Sequence, residues 1–221
     1  FQKKTSILRT LNFQLLNERR KIMPNSVSEA ADNKIEYGLC NVYYAVITGY
    51  DTETKKYTYG TPIPIPGGVS VTFSASGDSN PFYADNIVYF NVKTNAGYEG
   101  DLEIATIPDS FRTSVLGEVE IDGMLAENAD AQGKEFALMF QFEGDASGKR
   151  HVMYRCSAGR PDIASSTREG STTPNTNKLT ITCMARENDH FIKTSLLEVK
   201  NPTRYSNWNT QVQEPIAEDA A

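Results

Sequence analysis

Apolar and polar residues alternate along much of the chain, and this pattern predicts an all-β protein because successive side chains of a strand point to opposite faces. In residues 69–75, VSVTFSA, every second residue is apolar or aromatic, so Val69, Val71 and Phe73 are expected to point inward. Further apolar faces are expected at Phe136, Leu138, Phe140 and Phe142, at Val152, Tyr154 and Cys156, and at Leu179, Ile181 and Cys183.

Turn residues between the apolar segments predict hairpins. The link Asn-Ala-Gly at 95–97 separates segments 88–94 and 98–107 and predicts a tight antiparallel pair between them. Asp122-Gly123 is a pair that a two-residue type I′ turn prefers. The polar residues 74–81, SASGDSNP, are expected to form a loop.

Acidic side chains alternate with apolar ones in segment 98–107. The acidic positions are Glu99, Asp101 and Glu103, and the intervening residues are mostly apolar. One face of this strand is therefore expected to join the core, and the other to be acidic and hydrated.

One short helix is expected, beginning at Asp109 or Ser110, either of which can cap its N-terminus. Gly117 can end it in the left-handed conformation. A helix this short is not stable by itself. We therefore expect it to pack against the sheet through Phe111 and Leu116.

The overall composition is typical of a soluble globular protein. Of 221 residues, 39% are hydrophobic and 23% are charged, and no apolar run approaches the roughly 20 residues that cross a bilayer. Cys40, Cys156 and Cys183 are odd in number and widely spaced, which fits reduced thiols better than a disulfide framework or a metal knuckle.

The first 22 residues differ from the rest because they contain six basic side chains and one acidic one. An amphipathic basic helix or a disordered arm is one interpretation. The interpretation that we favour is a translated upstream sequence, with Met23 as the true start. Residues 23–210 then form a single β domain, and residues 211–221 form an acidic C-terminal tail.

Removal of residues 1–22 leaves 16 Lys and Arg against 27 Asp and Glu, a net charge of −11. An acidic body without a basic stripe repels phosphate backbones, so specific nucleic-acid binding is disfavoured.

Residues that could carry catalysis do not form a known motif. His151 is out of phase with Val152 and is expected to face solvent, and His190 lies in a turn. The alternating carboxylates Glu118, Glu120 and Asp122 are expected to lie on one solvated strand face. We expect no enzyme activity, no cofactor and no metal.

An alternative class is a β-sandwich that binds a ligand or carbohydrate on an aromatic platform. Its candidate residues are Tyr43, Tyr44, Tyr83, Tyr89, Tyr98 and Trp208.

A series of short segments between residues 34 and 208 carries a family resemblance. They are NVYYAVIT (41–48), GTPIPIPG (60–67), FYADN (82–86), IPDSFRTSVLGE (107–118), ENADAQ (127–132), RHVMYRCSAGRP (150–161) and PNTNKLTIT (174–182). In this order the chain resembles the major tail proteins, or tail tube proteins, of long non-contractile-tailed bacteriophages.

The resemblance implies a fold of two packed antiparallel sheets, a sandwich or barrel, flanked by the helix near residues 109–117. It implies a structural protein of the virion tail, made in the host cytoplasm, that forms stacked rings, hexameric in that family. The resulting tube conducts the genome and does not bind DNA specifically. The resemblance implies no membrane partner. The implied partners are further copies of the chain, a tape-measure protein, a tail-tip or baseplate complex and a tail terminator protein.

Two groups of residues are expected to serve such an assembly. The expected subunit interface consists of Pro62, Ile63, Pro64, Ile65, Phe82, Tyr83 and Asp85, although ordinary core packing is an equal alternative for Phe82 and Tyr83. Alternate prolines make residues 61–66 stiff and extended, which suits a sheet edge or an interface arm. The expected lumen-facing residues are Glu99, Asp101 and Glu103.

Overall fold

A computed structural model describes residues 35–165 and 174–215, and segment 1–22 with Met23 lies outside the described residues. The strands are β1 (Leu39–Asp51), β2 (Lys56–Tyr59), β3 (Ile63–Pro64), β4 (Gly68–Ser76), β5 (Ser79–Ala84), β6 (Ile87–Lys93), β7 (Gly97–Ile104), β8 (Val119–Ile121), β9 (Met124–Ala126), β10 (Phe136–Phe142), β11 (Arg150–Ala158), β12 (Asn177–Met184) and β13 (Lys193–Leu196). Helix α1 (Asp109–Phe111) continues as a π-helical turn (Arg112–Leu116), and α2 is Pro202–Ser206. Neither described helix is long and apolar enough to span a membrane.

Nine of these strands form one large antiparallel sheet in the order β2-β1-β10-β11-β12-β7-β4, with β3 beside β1 and β13 beside β11. The pairs β5–β6 and β8–β9 form two small sheets. The all-β class with a short helix near residues 109–117 is thus confirmed. The large sheet curls so that β4 returns to β1, where a Cβ on Gly68 would lie 3.1 Å from side-chain atoms of Leu39 and Val42. The facing layers are therefore parts of one sheet.

The main core lies inside this curl and includes the helix, as expected. Phe111 and Val115 are buried, and the Phe111 ring meets Tyr44 edge-on at 4.9 Å and Phe136 at 5.5 Å. Gly117 ends the helix with a φ of 80°, which confirms the expected left-handed cap.

The expected N-terminal cap is wrong. Pro108 occupies the cap position without a side-chain hydrogen bond, and its carbonyl accepts from the Phe111 N–H at 2.9 Å. Proline fixes φ near the helical value and so starts the helix without a capping side chain.

A second core cluster lies on the other side of β10 and β11. Its buried residues are Ala45, Ala137, Met139, Val152, Tyr154 and Trp208. The Tyr154 hydroxyl donates to the Gln213 carbonyl at 2.8 Å, so residues 211–215, which are part of the segment predicted as a tail, pack against β11. The central strands β10 and β11 are thus covered on both faces.

An ion-pair network holds the same C-terminal residues. The Arg186 side chain is 1% exposed, pairs with Asp189 and with Glu214 at 3.0 Å, and lies 4.2 Å above the Tyr154 ring. A buried guanidinium is tolerated only when its donors are paired, so these partners belong to one network.

Three strand predictions were wrong in detail. Segments 88–94 and 98–107 do not pair, because β6 pairs with β5 while β7 pairs with β4 and β12. Cys156 does not share a face with Val152 and Tyr154, because the β10–β11 register shifts between Phe136 and Leu138. Val69 is 50% exposed beside a similar shift in β4. The turn at Asp122-Gly123 has two positive φ angles, 52° and 75°, as predicted.

Candidate self-assembly surfaces

Strands β4 and β7 continue beyond the large sheet as β5 and β6, so that residues 68–104 make one long two-stranded ribbon. Hydrogen bonds bridge the junction, with the Ala96 N–H donating to the Ser76 carbonyl at 2.8 Å and the Thr94 N–H to the Asp78 carbonyl at 2.9 Å. The Asp78 N–H donates to Thr94 Oγ1 at 2.8 Å. The predicted polar loop at 74–81 is therefore part of a continuous ladder. We call the outer part, residues 79–93, the arm.

The arm exposes an unusual number of large apolar side chains. Phe82, Tyr83, Ile87, Val88, Tyr89, Phe90 and Val92 are each between 46% and 69% exposed. Because side chains alternate along a strand, these residues occupy both faces of the arm. An isolated hairpin is marginally stable in water, and a contiguous exposed apolar patch of this kind usually marks an interaction site.

The tip of the arm is a tight turn at Asp85 and Asn86, whose φ angles are 53° and 63°. Asp and Asn tolerate this left-handed region better than other non-glycine residues. Three predicted interface residues, Phe82, Tyr83 and Asp85, are thus brought together on one projecting element. The alternative of core packing is wrong for Phe82 and Tyr83, because both are exposed.

The sequence interpretation missed the other strand of the arm. Segment 88–94 is predicted to pair with segment 98–107, one face of which joins the core, yet every residue of β6 is exposed. The signal that could have found the arm is Asp-Asn at 85–86 between the apolar segments PFYA and IVYF, which is a hairpin turn signal.

The other predicted interface residues lie on a different element. Strand β3 pairs with the edge of β1, with Pro64 opposite Tyr43, and the Ile65 N–H donates to the Val42 carbonyl at 2.8 Å. Pro62 and Ile65 are buried, while Ile63 and Pro64 are exposed. This segment takes the edge position that its prolines favour. Its contact with a neighbouring subunit stays a prediction.

The outward face of β7 carries the three acidic residues, as the alternation predicted. Glu99, Asp101 and Glu103 alternate with the core residues Leu102 and Ile104. Their cross-strand neighbours are hydroxyl or basic residues, namely Ser70, Thr72 and Ser74 of β4 and Lys178, Thr180 and Thr182 of β12. The result is a polar sheet face with three carboxylates and one ammonium group.

Hydrogen bonds hold two of these carboxylates in their charged form. Asp101 accepts from Lys178 at 2.8 Å and from Thr180 Oγ1 at 3.0 Å, which lowers its pKa. Glu103 accepts from Thr176 Oγ1 at 2.5 Å and Ser70 Oγ at 3.0 Å, with the same effect on its pKa. The face therefore stays negatively charged at neutral pH.

His151 is not the solvent-facing residue that its position predicted. It is half-buried, and its ring stacks on Phe140 at 5.3 Å with an interplanar angle of 11°. His151 does lie on the opposite face of β11 from Val152, as predicted, but both faces of this strand contact apolar clusters. His190 is exposed in a turn, as expected.

A pocket of about 220 Å³ opens beside His151 at the margin of the main core. It is mostly apolar and is lined by Val71, Phe73, Tyr98, Phe140, Phe142, His151, Met153, Lys193 and Thr194. His151 Nε2 is buried and has no hydrogen-bond partner among the described residues. We call this feature the His151 pocket.

Two other candidate groups do not come together. Glu118 is buried, with Arg112 Nε 2.9 and 3.0 Å from its two oxygens, so it does not share a solvated face with Glu120 and Asp122 as expected. The aromatic residues of the alternative binding platform are also dispersed. Tyr44 is buried in the main core and Trp208 in the second cluster, while Tyr83 and Tyr89 are on the arm.

Comparison with known proteins finds distant likenesses among solved structures. No family description and no curated protein sequence matches the chain. Among solved structures, the tube-terminating cap of the anti-feeding prophage is similar with a TM-score of 0.40 and 10% identity, over 77% of this chain and 98% of that one. A chain of the anti-feeding prophage baseplate is similar with a TM-score of 0.39 and 9% identity, over 73% and 94%. Scores this low carry no argument about function.

Proposed function

We propose that this chain is a structural virion protein that assembles as stacked rings, hexameric as in the family it resembles, into the tube of a phage tail. The observation that carries the proposal is the arm, a two-stranded ribbon with exposed apolar side chains on both faces. The sequence resemblance over residues 34–208 supports the same assignment.

The arm gives an estimate of the driving force. Complete burial of one large apolar side chain contributes about 1.5–3 kcal/mol. Because the seven arm side chains are roughly half exposed, covering all of them contributes on the order of 8 kcal/mol. Association entropy removes several kcal/mol of this gain. The net free energy of a single contact of this kind is therefore small, whereas a ring or tube in which each copy makes several contacts is stable.

Two geometries of contact can then build a tube. The large sheet ends at β2 and β4, and exposed sheet edges can pair with strands of a neighbouring copy within a ring. Between rings, a contact that joins different surfaces of two copies repeats without closing and produces a filament.

The acidic face of β7 suits the inner wall of such a tube. Carboxylates that line the lumen repel DNA phosphates over about one Debye length, roughly 8–10 Å in physiological salt. In this proposal DNA passes without specific binding. A tape-measure protein occupies the lumen during assembly, and a tail-tip or baseplate complex and a terminator protein occupy the two ends.

Negative-stain electron microscopy of the purified protein, with and without a tail-tip complex, tests the proposal. We expect rings or tubes, at least when the tip complex is present. Single particles at every protein concentration with the tip complex present would contradict it. The variant Phe82→Asp should abolish the rings, whereas the matched variant Val199→Asp, at an exposed valine outside the arm, should retain them.

A further inference from the structure

We propose that the His151 pocket of one copy receives the Tyr89 side chain from the arm of a second copy, so that arm and pocket form one repeating contact. This inference rests on the proposed function, since it names the surface that the arm meets.

Tyr89 is the arm residue whose placement best suits insertion. It is 69% exposed, the largest exposure on the arm. The β5–β6 register pairs Phe82 with Phe90 and Tyr83 with Val88, which leaves Tyr89 at a bulge without a cross-strand partner. Bulges commonly re-aim a side chain away from the sheet.

The size and lining of the pocket fit an aromatic ring. An apolar cavity of roughly 150 Å³ is enough to bind benzene, and the His151 pocket measures about 220 Å³. Phe73, Phe140 and Phe142 supply aromatic walls, against which an inserted ring can stack or pack edge-on.

The arm of the same copy cannot make this contact. Tyr98 lines the pocket and lies nine positions along the ribbon from Tyr89. At about 3.3 Å per residue, the extended ribbon places Tyr89 roughly 30 Å along the strand from its own pocket. The ladder is hydrogen-bonded across the junction, so it does not fold back.

One pair of opposite charges can form at the edge of the contact. Lys193 is exposed at the pocket, with Nζ 4.4 Å from the centre of the Tyr98 ring, and Asp85 is at the exposed tip of the arm. Opposite charges at the edge of a contact favour its formation and its orientation. Because arm and pocket are different surfaces, the contact is head-to-tail and can repeat indefinitely.

Site-directed cross-linking tests the inference. Asn91 lies two residues from Tyr89 on β6, so Asn91→Cys keeps the tyrosine in place. Copies carrying Asn91→Cys are mixed with copies carrying Ser195→Cys, an exposed position opposite His151 beside the pocket, assembled, and treated with a short bismaleimide. The half-exposed Cys40 is replaced by serine in every variant, and buried Cys156 and Cys183 are kept. The control partner carries Thr52→Cys, an exposed position in the β1–β2 turn.

We expect the Asn91–Ser195 link to form on the order of a thousandfold faster than the Asn91–Thr52 link, because docking raises the effective thiol concentration from micromolar to millimolar. Tubes that form with equal linkage of both pairs would overturn the inference and leave the proposed function standing. Absence of rings and tubes in all mixtures and in the unmodified protein would overturn both.

A second pair of variants tests insertion of the aromatic ring. Tyr89→Phe keeps the ring and should raise the critical concentration for assembly less than tenfold, whereas Tyr89→Ser removes it and should raise the concentration by more than that. Equal critical concentrations for Tyr89→Ser and the unmodified protein would contradict insertion of this side chain.

Discussion

Replacement of Phe90 by serine should separate the free energy of subunit association from the free energy of folding. The Phe90 ring is 62% exposed, and a phenylalanine side chain buries about 200 Å² when it is fully covered. About 120 Å² therefore stays available to a neighbouring copy, which at about 25 cal/mol per Å² contributes roughly 3 kcal/mol to one contact. Loss of this contribution should weaken the contact by a factor on the order of a hundred.

Folding should change much less in the same variant. Phe90 belongs to the arm rather than to either core cluster, and its cross-strand partner is Phe82. Such a pair contributes up to about 1 kcal/mol. Thermal unfolding of the body should thus occur within a few degrees of the unmodified protein.

Sedimentation velocity over a concentration series measures the association, and calorimetry measures the unfolding. The control is Val199→Ser, which removes an exposed apolar side chain outside the arm. An unchanged critical concentration for Phe90→Ser would refute the argument that the arm is an interface. A large loss of thermal stability would refute the argument that Phe90 is outside the folded core.

Three further predictions concern the acidic face, the core and His151. Reversal of Glu99, Asp101 and Glu103 to lysine should leave tubes intact but slow or stall genome ejection, and unchanged ejection kinetics would count against a lumen-facing position. Phe111→Ala should lower the free energy of unfolding in urea by about 3–5 kcal/mol, since the ring is fully buried; a loss below about 1 kcal/mol would mean that the helix is not docked. Burial lowers the pKa of folded His151 below its unfolded value near 6.5, so its contribution to stability is present above that pH and is lost as the pH falls below it. His151→Gln should flatten the decline in stability between about pH 6.5 and 5, and an unchanged slope would contradict this.

Local patterns predicted the parts of this fold that depend on neighbouring residues alone. The inward position of Leu102 and the outward position of Asp101 follow from the two-residue period of a strand. The helix with its buried Phe111 and its end at Gly117 follows from spacing and from the left-handed tolerance of glycine.

Strand partners could not be predicted in the same way. The link Asn-Ala-Gly at 95–97 has the composition of a reversing turn, yet the chain passes through it from β6 into β7 without reversing. A glycine-containing link permits either path, and the choice depends on which distant strand completes the ladder. Here β4, over twenty residues earlier, is that strand.

The exposed arm and His151 show a second limit of sequence patterns. Apolar alternation marks a surface that avoids water, but it does not distinguish a core from an interface with another copy. Tyr89 and Phe90 therefore have the pattern of buried residues although both are exposed. His151 is the reverse case, since it has the pattern of an exposed residue but stacks on Phe140 at the main core, while Trp208 covers the opposite, Val152 face of β11.

Electron cryomicroscopy of the assembled protein tests the central claim most directly, which is that the arm of each copy is covered by another copy. The account predicts a ring or tube in which Phe82, Tyr89 and Phe90 are buried between subunits. An assembly in which the arm stays in solvent, or a protein that stays a lone particle with the tail-tip complex present, would contradict it.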